Sequence, residues 1–152
     1  QIFSTSSSSF AFMALIQAFR EEERTSEEIR KFQSAGVHVI ASFHNFDRTP
    51  DREELIRRLT RMQEMGADVA KIAVMPQSRE DVMTLMEATM EADHSLDIPV
   101  VTMSMGRLGI LSRLAGTLTG SAMTFASVGE ASAPGQIPIE QMRVFCQLLS
   151  IK

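Results

Sequence analysis

Apolar runs of strand length alternate with amphipathic stretches of helical period from residue 37 to the end of the chain. Strands are predicted over residues 37–43, 69–74, 98–104 and 122–126, because short and nearly continuous apolar runs are typical of buried parallel strands. Four strand–helix units in series predict an α/β fold with a parallel sheet, either open or closed into a barrel.

Capping residues and apolar stripes indicate the helices between these strands. Thr49 as the N-cap and Pro50 in the first turn predict a helix that Gly66 ends. Ser78, with Asp81 three positions later, predicts the start of the next helix. The apolar stripe of that helix consists of Val82, Leu85, Met86 and Met90. Two further helices are predicted over residues 108–118 and 139–149.

The first 24 residues have a different pattern from the rest of the chain. A serine-rich patch over residues 4–9 is followed by an apolar run over residues 10–19, which is predicted to be an amphipathic helix. No basic start and no small-residue cleavage site are present, so a signal peptide is not expected. A helix capped by Thr25 or Ser26 and running to about Ser34 then opens the domain predicted over residues 25–152.

Composition narrows the class of protein. The 152 residues suit one domain, and 44% hydrophobic with 22% charged residues is ordinary for a globular protein. A net charge of -4 without a basic run argues against nucleic acid, and no apolar stretch reaches the roughly 18 residues of a membrane span. With Cys146 as the single cysteine, we expect no internal disulfide and a cytoplasmic location. Cys146 itself is predicted to fill the core.

A lysine and a histidine occupy neighbouring predicted strands. Lys71 lies inside an apolar run, where desolvation lowers the pKa of an amine and leaves it nucleophilic toward a ketone. Strand alternation places His38, Ser42 and His44 on one face, with His44 at the carboxyl end, where a proton-transferring group is useful. Structural roles are the alternative: a histidine at a strand end is often structural, and a lysine can extend out of a sheet edge. We assign His38 and His94 to structural roles.

The segment over residues 98–129 contains no acidic residue, and it suggests how an anion is bound. Arg113 lies in a mostly apolar stretch without a nearby carboxylate, and guanidinium groups pair strongly with carboxylates of a ligand. Ser132 and Gln136 lie in a loop of small residues after the last predicted strand, where barrel enzymes often bind anions. Plain solvation of that loop is the alternative.

These residues stand in blocks that resemble a known family. The blocks are SFHNF at 42–46, TP at 49–50, KIAVMPQS at 71–78, TMSMG at 102–106, SRLAG at 112–116 and ASAPGQ at 131–136. In this order they resemble type I 3-dehydroquinate dehydratase over about residues 25–152. The resemblance implies a (β/α)8 TIM barrel, a lyase of the shikimate pathway that converts 3-dehydroquinate to 3-dehydroshikimate without a metal or cofactor.

The same resemblance implies a role for each candidate residue. Lys71 would form the Schiff base, His44 would be the general acid and base, and Arg113 would hold the substrate carboxylate. Ser132 and Gln136 would supply further substrate contacts. The chain departs from the family at Asn45, where the family has aspartate.

The expected barrel is larger than this sequence. A (β/α)8 barrel needs roughly 200 to 250 residues, so the chain holds about the last four βα units. The family's glutamate partner of the histidine has no counterpart in residues 1–36. We therefore expect Lys71 and His44 to face solvent, the pKa of Lys71 to stay near its ordinary value, and open strand edges to favour a homodimer or larger assembly. Two alternatives stay open: another Schiff-base lyase such as an aldolase, and a truncated, catalytically inactive remnant or interaction protein.

Overall fold

The computed structural model describes residues 13–19, 22–130 and 134–149, which form an α/β fold around one parallel sheet. Within these residues the sheet has four strands in the order β1-β2-β3-β4. The strands are β1 (Met13–Gln17), β2 (His38–Asn45), β3 (Val69–Val74) and β4 (Val100–Ser104). The helices are α1 (Glu22–Ser34), α2 (Arg52–Glu64), α3 (Arg79–Ser95), α4 (Ile110–Leu114), α5 (Gly116–Thr119) and α6 (Ile139–Leu149). The α/β class and the parallel sheet were predicted from the sequence and are confirmed.

The two faces of the sheet have different surroundings. One face packs against the helices and forms the larger core cluster, to which β2 contributes Val39 and Ala41 and β3 contributes Ala70, Ile72 and Val74. The opposite face carries a smaller apolar cluster that includes Ile40, Val69, Ala73, Val101 and Met103. Because successive side chains of a strand point to opposite faces, Ser42 and Lys71 lie on the second face. The register pairs these two residues directly.

The starts of helices α2 and α3 test the capping predictions. Ser78 caps α3 as predicted, and its hydroxyl accepts a hydrogen bond from the Asp81 amide at 3.2 Å. The predicted cap at Thr49 is wrong, because Asp51 caps α2 by accepting from the Glu54 amide at 2.7 Å. Asp51 has the extended backbone that an N-cap requires, so Pro50 lies before the cap and not in the first helical turn.

The predicted amphipathic helix over residues 10–19 is wrong in its described part. Residues 13–17 form β1, and the positions before 13 lie outside the described residues. Burial there alternates, with Ile16 buried between the exposed Leu15 and Gln17, which is the period of a strand. Helix α1 begins at Glu22, so Thr25 lies within the helix and does not cap it. The serine-rich patch lies outside the described residues, and the division at residue 24 stays a prediction.

The segment after β4 also differs from its prediction. No strand forms over residues 122–126; Ala122 donates one backbone hydrogen bond to Val100, while the hydroxyl of Ser121 accepts from the Thr102 amide. The Ser121 hydroxyl therefore takes the place of a backbone carbonyl in the hydrogen-bond ladder beside β4, and regular strand pairing does not continue. The predicted helix over residues 108–118 is divided at Ala115 into α4 and α5.

Helix α6 has the predicted bounds but not the predicted burial. Met142 is its single buried residue, and Cys146 is exposed, so the prediction of a core cysteine is wrong. The described residues provide no layer over the outer face of α6, and the apolar side chains there stay exposed. Met90 in the α3 stripe is likewise 38% exposed, although Val82, Leu85 and Met86 are buried as predicted. None of the helices in the described residues has the length and apolar character of a membrane span.

Candidate active site

Lys71 is buried in the middle of β3. Its side chain is 5% exposed, and its ammonium nitrogen Nζ lies 3.2 Å from Ser42 Oγ and 3.0 Å from His44 Nε2. The ring centre of Phe125 lies 5.7 Å from Nζ, within the range of a cation–π contact. Parallel pairing of β2 with β3 fixes these neighbours, because Ser42 stands opposite Lys71 and His44 follows on the same face.

His44 is held on several sides near the carboxyl end of β2. Its Nδ1 lies 3.0 Å from Gln17 Oε1 and 3.4 Å from Ser42 Oγ, and its Nε2 faces Lys71. The ring of Phe46 stacks on the imidazole at a centroid distance of 5.8 Å. The structure therefore brings His44 and Lys71, from neighbouring strands, together on one face of the sheet.

Burial and neighbouring positive charges lower the pKa of both groups. Burial, and then the positive charge of Arg113, lowers the pKa of Lys71 from 10.5 to about 8. Burial and the neighbouring Lys71 lower the pKa of His44. With a pKa of about 8, roughly one tenth of Lys71 is free amine at pH 7. The expectation that Lys71 faces solvent with an ordinary pKa is wrong, because Lys71 is buried and the ring of Phe125 lies beside its Nζ.

Arg113 is a buried cation beside this pair. Its side chain contacts Met103 Sδ at 3.5 Å and donates to the Pro134 carbonyl at 3.2 Å, and it makes no ion pair with a carboxylate in the described part of the chain. Its Nε is buried without a hydrogen-bond partner among those residues. A buried guanidinium with an unused donor is suited to bind a ligand carboxylate.

A short network holds Arg113 in place at the end of β4. The hydroxyl of Ser112 accepts from the Ser104 amide at 2.8 Å and donates to the Gly109 carbonyl at 2.7 Å, which joins the start of α4 to the strand. Gly135 has a φ of +76°, and a Cβ there would lie 2.4 Å from the Gly106 carbonyl oxygen. A glycine is therefore required for the segment with Pro134 to approach the loop at Gly106, where the Pro134 carbonyl accepts from Arg113.

The predicted loop contacts are only partly within the described structure. Ser132 lies outside the described residues. Gln136 is half-buried, two positions after Pro134, in the segment that ends at the isolated bridge between Ser127 and Pro138. The roles assigned to Lys71, His44, Arg113, Ser132 and Gln136 stay predictions.

Three site residues were missed from the sequence. Ser42 was placed on the correct face but given no role, although its hydroxyl is fully buried against Lys71. Gln17 was missed because its segment was interpreted as a helix. Phe125 was assigned to a strand that does not form, and its aromatic character was the available signal for a contact with a cation.

Other polar groups lie apart from this site. A cavity of about 350 Å³ is lined by Phe19, Arg58 and further residues of α2, none of which belongs to the Lys71 site. Arg58 there is paired with Glu54 and stacks on Phe43, so its charge is already compensated. His38 lies 3.5 Å from Asp68, at the other end of β2, as fits a structural role. No group of three or more metal-ligating side chains occurs in the described residues.

Comparison with known proteins relates the chain to one family. The model of a family described as type I 3-dehydroquinase matches residues 13–152. A 3-dehydroquinate dehydratase of Listeria welshimeri is 47% identical over 134 residues, which is 88% of this chain and 53% of that protein. One of Lactiplantibacillus plantarum is 51% identical over 128 residues, which is 84% of this chain and 51% of that protein. The chain thus spans about half the length of the curated relatives it matches.

Solved structures give the same result. The 3-dehydroquinate dehydratase of Geobacillus kaustophilus matches with a TM-score of 0.87 and 44% identity, over 91% of this chain and 53% of that one. The type I 3-dehydroquinate dehydratase of Clostridium difficile, solved with covalently modified comenic acid, matches with a TM-score of 0.86 and 43% identity. That match covers 90% of this chain and 54% of the other.

Proposed function

Because the chain belongs to the type I 3-dehydroquinase family, we propose that its Lys71 forms a Schiff base with 3-dehydroquinate and that the site removes water to give 3-dehydroshikimate. One observation carries the proposal: the Nζ atom of a buried lysine, with a pKa of about 8, lies 3.0 Å from a histidine nitrogen. Such a lysine is a competent nucleophile toward a ketone, and the histidine is within reach of protons on the adjacent carbon.

The proposed steps use these two side chains. The free amine of Lys71 adds to the ketone, and loss of water gives an iminium. The iminium withdraws electrons and acidifies the neighbouring C–H, and Nε2 of His44 accepts that proton. The protonated imidazole then returns the proton to the leaving hydroxyl as the C–O bond breaks, and hydrolysis of the product iminium regenerates Lys71.

Arg113 provides the binding part of the proposal. Its Nε is a buried donor without a partner in the described residues, and its charge acts on Lys71. A substrate carboxylate on Arg113 would satisfy that donor and would bring the ketone to the same face of the sheet as Lys71. Ser132 and Gln136 are proposed as further contacts to substrate oxygens on the strength of the family resemblance.

The relation to the family also concerns the fold. The family has a TIM-barrel fold, and four parallel strands with their helices are compatible with part of such a barrel. We propose that the sheet is part of such a barrel and that residues 25–152 hold about its last four βα units. Capture of the ketone by Lys71 and turnover of the complete reaction are therefore measured separately for this chain.

A truncated, catalytically inactive family member is the second candidate named from the sequence. A family member without catalytic turnover, kept for interaction, would retain the fold and would share the motifs with its relatives. The two candidates differ in one measurable quantity, which is the rate of 3-dehydroshikimate formation. If the site is sound but incomplete, adding the amino-terminal half of a full-length relative should restore that rate.

Reductive trapping tests the proposed chemistry directly. Borohydride added with 3-dehydroquinate should convert the iminium into a stable secondary amine on Lys71. The chain has three lysines, Lys31, Lys71 and Lys152, so peptide mass spectrometry assigns the adduct without ambiguity. Lys71→Met should abolish the adduct, and Lys31→Met is the matched control that should keep it. No adduct, or an adduct on Lys31 or Lys152 alone, would refute the Schiff-base assignment.

A further inference from the structure

Gln17 at the end of β1 contacts the candidate general base from the side opposite the lysine. Its Oε1 lies 3.0 Å from His44 Nδ1, while Lys71 Nζ lies 3.0 Å from His44 Nε2. Parallel pairing of β1 with β2 puts Gln17 opposite Ser42, two residues before His44 and on the same face. The imidazole is therefore bonded at both nitrogens by side chains from two different strands.

The donors and acceptors of the neighbouring side chains decide which nitrogen of His44 carries the proton. A neutral imidazole has one N–H donor and one acceptor nitrogen. At pH 7 Lys71 is mostly ammonium, which has donors only, so the nitrogen facing it, Nε2, accepts. The proton of the ring then lies on Nδ1, and the amide oxygen of Gln17 is the closest acceptor for it. Ser42 Oγ is farther from Nδ1, at 3.4 Å, and already accepts from Lys71.

We propose that Gln17 is a positioning residue that holds His44 in the Nδ1–H tautomer, with the lone pair of Nε2 directed at the reacting centre. The inference rests on the proposed function, because the Nε2 lone pair matters for removing a proton next to the iminium. The second nitrogen of a catalytic histidine is commonly fixed in this way by a hydrogen bond that sets the tautomer. No other described residue makes that bond at a comparable distance.

The uncharged character of Gln17 is part of its effect. A carboxylate at the same distance would stabilise the imidazolium and raise the pKa of His44, whereas an amide oxygen does so weakly. The charged group that acts on His44 in the described residues is Lys71, which disfavours a protonated imidazole, and Arg113 in turn acts on Lys71. Burial acts in the same direction on His44. Gln17 thus orients a histidine that stays neutral and ready to accept a proton.

The tautomer can be measured without any substrate. The chain has three histidines, His38, His44 and His94, and loss of one signal in His44→Gln identifies the imidazole of interest in long-range 15N–1H NMR spectra. Above the pKa of His44, the parent chain should show the Nδ1–H tautomer. Gln17→Leu should shift the ring toward a mixture or toward the Nε2–H form. Gln147→Leu, an exposed glutamine on α6, is the matched control and should change nothing.

A second variant keeps the test valid if Gln17→Leu disturbs the folding of β1. Gln17→Glu keeps the shape, should retain the Nδ1–H tautomer, and should raise the pKa of His44 by about one pH unit or more in an NMR titration, because an opposite charge lies at hydrogen-bond distance. An Nε2–H tautomer in the parent chain, or a tautomer unchanged by Gln17→Leu together with an unchanged titration in Gln17→Glu, would overturn the proposal. Reductive trapping is scored separately: loss of the adduct would refute the Schiff base and would leave the NMR result for Gln17 standing.

Discussion

Replacing Lys71 by methionine should change the stability of the fold in a pH-dependent way. Burial and the charge of Arg113 lower the pKa of Lys71 from 10.5 to about 8. A base whose pKa is lower in the folded state binds fewer protons when folded, so its contribution opposes folding. That contribution is fully present below pH 8 and fades as the pH rises toward 10.5. Methionine has a similar length and no charge, so it removes the contribution.

The magnitude follows from the same pKa change. It corresponds to roughly 3 kcal/mol of lost stability well below pH 8, and the linkage relation makes this loss shrink by roughly 2.5 kcal/mol between pH 7 and pH 10. The stability gained by Lys71→Met over the parent chain should decrease by that amount over the same interval. The absolute offset also contains the lost hydrogen bonds to Ser42 and His44, so the pH dependence is the informative quantity.

Urea unfolding followed by circular dichroism at several pH values between 7 and 10 measures this difference. The protein concentration must be held constant, because association changes the apparent stability. Lys31→Met, at an exposed position of α1, is the matched control for the loss of one lysine. A stability difference between Lys71→Met and the parent chain that stays constant over this range would refute the inference that burial lowers the pKa of Lys71.

Four further outcomes are expected. The rate of reductive trapping should rise about tenfold per pH unit below pH 8 and level off above it, because only the neutral amine attacks the ketone; a flat profile from pH 6 to 9 would contradict the lowered pKa. Arg113→Lys should weaken ketone capture by about 5- to 150-fold, or roughly 1 to 3 kcal/mol, in a trapping titration, whereas the exposed Arg107→Lys should not. His44→Ala should still be trapped but should lose substrate hydrogen exchange with deuterated solvent; an equal loss of trapping in both site variants would indicate damaged folding. Light scattering should show a homodimer or larger species, because β1 and β4 are the outer strands of the described sheet, and a monomer at high concentration would contradict this.

Residues whose chemistry conflicts with their surroundings could be found from the sequence. Lys71 stands in an apolar strand, and Arg113 stands in a segment without acidic residues, and both are buried in the structure. The period of two in β2 was enough to place Ser42 and His44 on one face. These inferences need only adjacent residues, because an apolar run predicts a buried strand and its alternation predicts which side chains share a face.

Features that depend on distant parts of the chain could not be found in this way. The apolar run at residues 13–17 has no internal sign that distinguishes a short strand from a helix, and pairing with β2 decides it. Gln17 reaches His44 only through that pairing. The hydroxyl of Ser121 ends the pairing of the segment after β4, which a count of apolar residues does not show. The exposure of Cys146 could not be predicted either, because it depends on whether another part of the fold packs against the outer face of α6.

All six residues of β3 are buried, yet they serve two separate purposes in alternation. Ala70, Ile72 and Val74 belong to the core beneath the helices, while Val69, Lys71 and Ala73 belong to the opposite face. An insertion or deletion of one residue in this strand would exchange the two sets, burying the amine beneath the helices and turning core side chains toward the face that carries Ser42 and His44. Natural variation within the strand is thereby restricted to substitutions, and changes of length among descendants should be confined to the connecting loops.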